Sequence, residues 1–232
     1  MTPRGLDDVI GGLCARTGLA PPAHRHPIRI WALSAVERIT LADGDSVICK
    51  YARPPFTREA MVLETAANHG LPVPRVHAHL RADDWLIMIL EDLGDPIRTP
   101  TDQDGAIAAA RLHRAELAIP NLTTSDGEAL ASLPHVMLDT LRRIRASRVL
   151  DVDTTTEQAL ATVARNAKQR SAGAATPPFG LVHGELHPTS VHISSVGTRL
   201  LDFGMAFNGP AILDLATWQG TRHQPNLQRL TD

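Results

Sequence analysis

The sequence predicts an α+β fold of two lobes, a small antiparallel sheet followed by a mostly helical lobe. Short apolar runs separated by turn residues fill the first part of the chain, and helical patterns dominate from residue 104 to residue 170. Between them, the continuous apolar run at residues 85–90 breaks at an acidic, glycine-containing link at residues 91–94, as expected of a hinge. We therefore expect an N-terminal lobe at residues 1–93 and a C-terminal lobe at residues 94–232.

Composition narrows the class of protein. With 232 residues, of which 43% are hydrophobic, the chain can bury a core in one or two lobes. A formal net charge of -2 gives no reason to expect nucleic acid or an anionic membrane as partner. The apolar runs fall short of the roughly 20 residues of a membrane span, and Cys14 and Cys49 show neither metal nor redox spacing. We expect a cytoplasmic protein and leave its oligomeric state open.

Lys50 is the most informative residue of the N-terminal part. Only Lys50 and Lys168 are lysines among the 23 basic residues, so a lysine kept in this arginine-rich chain has a raised chance of being needed as lysine. It ends a strand-like run that follows a turn. The expected elements are, in order, a helix at residues 5–18, a loop at 21–27, strands at 28–31 and 37–41 joined by a turn at 33–36, and a strand at 46–51.

Prolines, glycines and apolar periodicity mark the remaining elements. Thr57 is expected to cap a helix that Gly70 ends, and prolines at residues 72 and 74 keep the following segment out of the centre of a sheet. The other expected elements are a strand at residues 85–90, helices at 104–118, 134–149 and 155–170, a small-residue linker at 171–178, and strands at 179–182, 191–193 and 199–201 around a turn at 194–197.

The last of these strands form a hairpin that gathers three polar side chains. It carries Glu185 and Ser190 at one end and returns Asp202 to the same place. This arrangement is suited to placing a general base beside a metal ion.

These residues resemble the catalytic loop of the protein kinases and of their aminoglycoside phosphotransferase and choline kinase relatives. The relatives have His-Gly-Asp-x-x-x-x-Asn followed by Asp-Phe-Gly. This chain has His-Gly-Glu at residues 183–185, Ser190 five positions after the acid, and Asp-Phe-Gly at residues 202–204. Glutamate thus replaces the first aspartate, and serine replaces the asparagine. The resemblance extends over residues 28–216 and is absent at the turn that covers the phosphates.

The resemblance implies a protein kinase-like fold and phosphoryl transfer from ATP with Mg²⁺. It assigns Lys50 to the nucleotide phosphates and Asp202 to the metal. Ser190 would supply a second metal oxygen. Glu185 would orient or deprotonate the acceptor hydroxyl as the catalytic base.

Further nucleotide-binding positions follow from the same resemblance. Glu59, near the start of the helix after the lysine strand, is expected to clamp Lys50, and Glu64 is its rival because the two lie on different sides of the helix. Ser34, in a turn without glycine, is a candidate to contact phosphate through its hydroxyl. The candidates for binding adenine through main-chain groups are Glu91, Asp92 and Leu93.

Two more residues are expected to support the fold rather than react. His113 is interpreted as a packing residue of a core helix, and Asp214 as the aspartate that braces the catalytic loop in the resembled family. Members of that family usually continue for several helices beyond the position of Trp218. The C-terminal helices that complete the acceptor pocket are therefore expected to be missing or short.

The function expected is transfer of the gamma phosphate of ATP to a hydroxyl of a small molecule, such as an aminoglycoside, another antibiotic, an amino-alcohol or a sugar. A nucleotide-binding relative with little activity is an alternative. Glutamate is about 1.5 Å longer than aspartate, and a misplacement of about 1 Å costs on the order of a hundredfold in rate. A third hypothesis is a metal-dependent hydrolase, whose ligands would be His183, Glu185, His187 and His192, although this spacing matches no common signature.

Overall fold

A five-stranded antiparallel sheet forms the first part of the molecule. The computed structural model describes residues 2–148, 153–175 and 179–222. The first elements are α1 (Leu6–Arg16), β1 (Pro22–Ile30), β2 (Ser34–Leu41), β3 (Ser46–Ala52), α2 (Glu59–Asn68), β4 (Val76–Ala82) and β5 (Trp85–Glu91). The strands lie in the order β1-β2-β3-β5-β4, so β3 is the central strand. Lys50 lies on it, opposite Val36 of β2 and Met88 of β5.

Helices and short strand pairs form the second part. Its elements are α3 (Asp102–Arg114), α4 (Gly127–Ser147), α5 (Thr154–Arg170), β6 (Gly180–Val182), β7 (Val191–Ser194), β8 (Gly197–Leu200), β9 (Phe207–Gly209) and α6 (Ile212–Arg222). β7 and β8 form the expected hairpin, and β6 pairs with β9. The predicted α+β fold is confirmed in this architecture. The division at residue 93 stays a prediction.

The first two strands differ from the prediction. The expected loop at residues 21–27 was wrong, because β1 already starts at Pro22 and pairs with β2 over most of that range. Proline is tolerated there because β1 is an edge strand. The expected turn at residues 33–36 was also wrong. Ser34 begins β2 opposite Ala52, and the Trp31 backbone N–H closes the actual turn by donating to the Ser34 carbonyl at 2.8 Å.

Several helices begin at residues other than those predicted, because their N-terminal caps differ from the expected ones. α2 is capped by Arg58 instead of Thr57. α3 begins two residues early because Thr101 and Asp104 form a reciprocal capping box. α4 begins seven residues early because Asp126 accepts from the Ala129 N–H, which leaves the expected first residue, Pro134, inside the helix. The predicted end of that helix at Val149 and the last linker residues, 176–178, lie outside the described residues.

Two apolar cores hold these elements. One packs α1 against a sheet face that includes Ile39 and Ile89. The other joins the opposite face to the second part of the chain through Met88, Leu112 and Phe203, all at most 1% exposed. The second core fixes the hairpin end at residues 200–203 beneath the sheet, which positions Asp202 relative to β3. Across the described ranges we find no helix long and apolar enough to cross a membrane.

Candidate active site

Lys50 lies between two carboxylates at the centre of the molecule. Its side chain is 7% exposed, and its Nζ is 2.8 Å and 2.6 Å from the two oxygens of Glu59 and 2.5 Å from Asp202 Oδ1. The structure thus brings together three of the residues that the sequence singled out. Of the two rival glutamates, Glu59 faces Lys50, whereas Glu64 lies 3.3 Å from His79 Nε2. The roles of these residues toward a nucleotide stay predictions.

The charges of this cluster depend on one another. Burial alone would lower the pKa of Lys50, but the carboxylates of Glu59 and Asp202 outweigh it and raise that pKa. Burial raises the pKa of Glu59, and the nearby charge of Asp202 adds to this. Burial would also raise the pKa of Asp202, but Lys50 and Arg29 outweigh burial and lower that pKa to about 2. Asp202 therefore stays ionised at neutral pH.

Asp202 is also bound by a residue that the sequence analysis did not single out. Arg29 of β1 places Nη2 2.8 Å from Asp202 Oδ2, and its guanidinium lies 4.1 Å from the ring centroid of Trp31. Both carboxylate oxygens of Asp202 therefore contact cations. The Asp202 backbone is left-handed, with φ 65°, a conformation that aspartate tolerates better than most residues.

His183, in the loop before β7, is a structural residue. His183 is fully buried, and its ring centroid lies 4.4 Å from that of Phe203. Its Nε2 is 2.7 Å from the Leu201 carbonyl, and its Nδ1 accepts from the Glu185 N–H at 3.3 Å. Burial lowers the pKa of His183, so the neutral ring donates from Nε2 and ties the loop to the end of β8.

Asp214 braces the same loop from α6. It is fully buried and accepts hydrogen bonds from the backbone N–H groups of His183, at 2.9 Å, and Gly184, at 3.1 Å. His113 does more than pack, because its Nε2 lies 3.1 Å from Asp214 Oδ2. The loop conformation is thus fixed by a carboxylate that the next helix supplies.

Ser190 makes hydrogen bonds within its own loop, and its role as a metal ligand stays a prediction. Its hydroxyl accepts from the His187 N–H at 2.9 Å and reaches the carbonyls of His187, at 2.8 Å, and Glu185, at 3.1 Å. The side chain of serine is shorter than that of asparagine, and this buried hydroxyl makes its hydrogen bonds to backbone groups of the same loop. No polar partner for the Glu185 carboxylate is found among the described residues. That carboxylate is free to bind a hydrogen-bond donor.

A cavity of about 640 Å³ lies between the sheet and the β7–β8 hairpin. Lys50, Glu59 and Asp202 line it, whereas Ser34, Glu185 and Ser190 are not part of its lining. Its volume is within the range typical of sites for small ligands and cofactors. The other lining residues used below are Arg29, Val36, Ile48, Leu90, Glu91, Asp92, Leu93, His192 and Leu201.

The predicted hinge forms one end of this cavity. The Asp92 carboxylate accepts from Arg38 and Ser46, each at 2.7 Å, and these bonds outweigh burial and lower its pKa. The Glu91 N–H donates to the Arg75 carbonyl at 2.9 Å. Within the described ranges the Leu93 main chain makes no hydrogen bond, so it is free to bind a ligand.

Like Arg29, His192 lines the cavity and was not assigned a role toward a nucleotide from the sequence. It is 7% exposed, and its buried Nε2 has no hydrogen-bond partner among the described residues. A buried polar atom that faces a cavity is ordinarily satisfied by a ligand or by water. The metal-dependent hydrolase considered from sequence receives no support, because residues 2–148, 153–175 and 179–222 contain no cluster of three potential metal ligands.

The fold and the lysine–carboxylate cluster define a kinase-like phosphotransferase architecture. A family model described as "Phosphotransferase enzyme family" (APH) matches residues 21–227. The chain belongs to this family, which confirms the resemblance drawn from the sequence. No curated protein sequence matches the chain significantly.

Solved structures show the same fold at low sequence identity. A macrolide 2'-phosphotransferase type I matches with a TM-score of 0.65 and 16% identity over 99% of this chain and 81% of that chain. A putative fructosamine-3-kinase from Thermobifida fusca YX-ER1 has a TM-score of 0.63 and 20% identity, over 98% and 83%. The streptomycin–ATP–APH(2")-IIa ternary complex has a TM-score of 0.59 and 15% identity, over 92% and 74%.

Proposed function

We propose that this protein transfers the gamma phosphate of ATP, bound with Mg²⁺, to a hydroxyl group of a small molecule. The observation that carries the proposal is the position of Lys50, whose ammonium contacts Glu59 and Asp202 on the wall of a 640 Å³ cavity. A compact ammonium held by a buried carboxylate is suited to binding phosphate oxygens. A cytoplasmic location is part of the proposal because ATP is the phosphate donor.

The residues present fit a magnesium nucleotide. Mg²⁺ is usually bound by one or two carboxylates together with water and substrate phosphates, and Asp202 supplies an ionised carboxylate that lines the cavity. The bound ion would neutralise phosphate charge. Lys50 would hold the phosphates, Glu59 would orient Lys50, and the Leu93 main chain would bind the adenine edge between the apolar side chains of Val36, Ile48, Leu90 and Leu201.

Glu185 is the group proposed to act on the acceptor. Its backbone is fixed by His183 and Ser190, whereas its carboxylate has no polar partner among the described residues. It is thereby free to orient the acceptor hydroxyl and take its proton as the phosphate is transferred. The relatives named above make macrolides, aminoglycosides and fructosamine-type sugar amines the first acceptors to test. A role in antibiotic resistance would follow from the first two.

A nucleotide-binding protein with little transfer activity is the second candidate. Two observations favour it. Glutamate at position 185 reaches about 1.5 Å further than aspartate, and the Ser190 hydroxyl binds the loop backbone instead of lining the cavity.

Substituting Glu185 separates the two candidates. For the active enzyme, we expect Glu185→Gln to lower kcat by about 10²- to 10⁴-fold, because the amide cannot accept the proton. Nucleotide binding should be unchanged, since Glu185 does not line the cavity. The measurement is phosphate transfer to the acceptor panel beside calorimetric titration with ATP. Glu185→Asp is the comparison variant: it keeps a carboxylate but shortens the side chain by about 1.5 Å, so it should retain more activity than Glu185→Gln.

The outcomes are distinct. Transfer by Glu185→Gln at the rate of the unsubstituted protein would show that Glu185 is not the base. Binding of ATP by the unsubstituted protein without transfer to any acceptor on the panel would favour the second candidate.

A further inference from the structure

The turn between β1 and β2 lacks the feature that lets a backbone approach phosphates. No glycine occurs between residues 19 and 43, and the turn residues 31–33 are Trp, Ala and Leu. Glycine allows close approach because it has no Cβ. If the cavity binds a nucleotide, a side chain near the β1–β2 turn must hold the phosphates of that nucleotide in place of backbone N–H groups.

The strand register places Arg29 where its side chain can hold the phosphates. It pairs with Val36 of β2, which in turn pairs with Lys50 of β3. Directly opposed residues of antiparallel strands project from the same face of a sheet, and all three of these side chains line the cavity. The guanidinium of Arg29 and the ammonium of Lys50 therefore meet at the same carboxylate, that of Asp202.

The contact with Asp202 shows where the guanidinium reaches. Arg29 Nη2 is 2.8 Å from Asp202 Oδ2, and the side chain stacks on Trp31. A metal ion that takes Oδ2 of Asp202 competes with Arg29 for that oxygen, whereas one that takes Oδ1 competes with Lys50. A guanidinium released there still lines the cavity, and its planar array of donors matches phosphate oxygens well.

We propose that Arg29 is a phosphate-binding residue that pairs with Asp202 in the unbound protein and moves to the nucleotide phosphates when the site is filled. It takes the place of the missing glycine-rich turn and gives the cavity affinity for polyphosphate without metal. This inference rests on the proposed nucleotide-binding function.

The test is calorimetric titration with ATP in the presence of EDTA. We expect Arg29→Ala to weaken metal-free ATP binding by about 10- to 100-fold, the range expected for loss of a charged hydrogen bond. Adenosine, which has no phosphates, should bind both proteins equally. Arg29→Lys keeps the charge but loses the planar donors, so its ATP affinity should lie between that of the unsubstituted protein and that of Arg29→Ala.

Arg53→Ala is the matched control. Arg53 has the same type of surroundings, an ion pair with Asp84 at 3.0 Å and a stacked ring, that of Trp85, at 5.4 Å, but it does not line the cavity. Its removal should leave ATP affinity unchanged.

Equal or tighter binding of ATP by Arg29→Ala, with native circular dichroism, would overturn the inference and show that the guanidinium only blocks Asp202. An equal loss in Arg53→Ala would overturn it as well. Failure of the unsubstituted protein to bind ATP with or without Mg²⁺ would instead refute the proposed function and, with it, this inference.

Discussion

Replacing Lys50 by methionine is expected to abolish binding of magnesium nucleotide and phosphate transfer, and to destabilise the fold. The substitution removes the cation that contacts both Glu59 and Asp202. Breaking a buried ion pair by removing one partner typically costs about 3–5 kcal/mol. Burial already raises the pKa of Glu59, so its carboxyl group can take up a proton, and we expect the lower end of that range. Chemical denaturation and ATP titration measure the two effects.

A double variant separates stability from function. Lys50→Met combined with Glu59→Gln leaves a neutral amide instead of a buried acid, so stability should largely return while nucleotide binding stays lost. If Lys50→Met alone binds ATP with unchanged affinity, Lys50 does not hold the phosphates.

Gly184→Ala is expected to remove transfer activity by distorting the catalytic loop. A Cβ at this position would lie 2.4 Å from the Met205 carbonyl oxygen, and the backbone has φ +82°, where alanine is strained. Strained backbone conformations cost about 1–3 kcal/mol each, and the overlap adds to this. The Glu185 carboxylate, one residue further, would shift with the loop. Thermal unfolding and the transfer assay measure the outcome.

Gly12→Ala provides the control for this substitution. Gly12 lies inside α1 with open space around its Cβ position, and alanine in a helix interior is about 0.5–1 kcal/mol more favourable than glycine. The control should therefore be at least as stable as the unsubstituted protein and fully active. A Gly184→Ala protein with normal transfer would show that the loop tolerates the displacement.

The sequence singled out Lys50 and Asp202, which the structure brings into contact, because residue type and spacing mark both positions. Lys50 lies on a strand that follows a clear turn, and Asp202 follows a short hairpin, so both positions could be inferred without long-range contacts. The family resemblance placed Asp214, which lies on a different helix from the loop that it holds.

Residues that depend on register or on side-chain reach could not be found in this way. Arg29 lies in the strand expected at residues 28–31, but it is aligned with Val36 by a register shift between Pro27 and Arg29, which the sequence did not mark. Ser190 has the motif position of a metal ligand, but its short side chain binds the loop backbone. His192 was considered from sequence only as a metal ligand, and its place in the cavity could not be inferred because it depends on the packing of the β7–β8 hairpin against other elements.

Thermal unfolding with ATP, with and without Mg²⁺, is the most direct test of the claim that Lys50, Glu59 and Asp202 form a magnesium-nucleotide site. A ligand at 100 times its Kd stabilises a protein by about 2.7 kcal/mol. We predict that ATP raises the Tm, that Mg²⁺ raises it further, and that Asp202→Asn loses the additional increase from Mg²⁺. An unchanged Tm with ATP, in both the presence and the absence of Mg²⁺, would contradict the account.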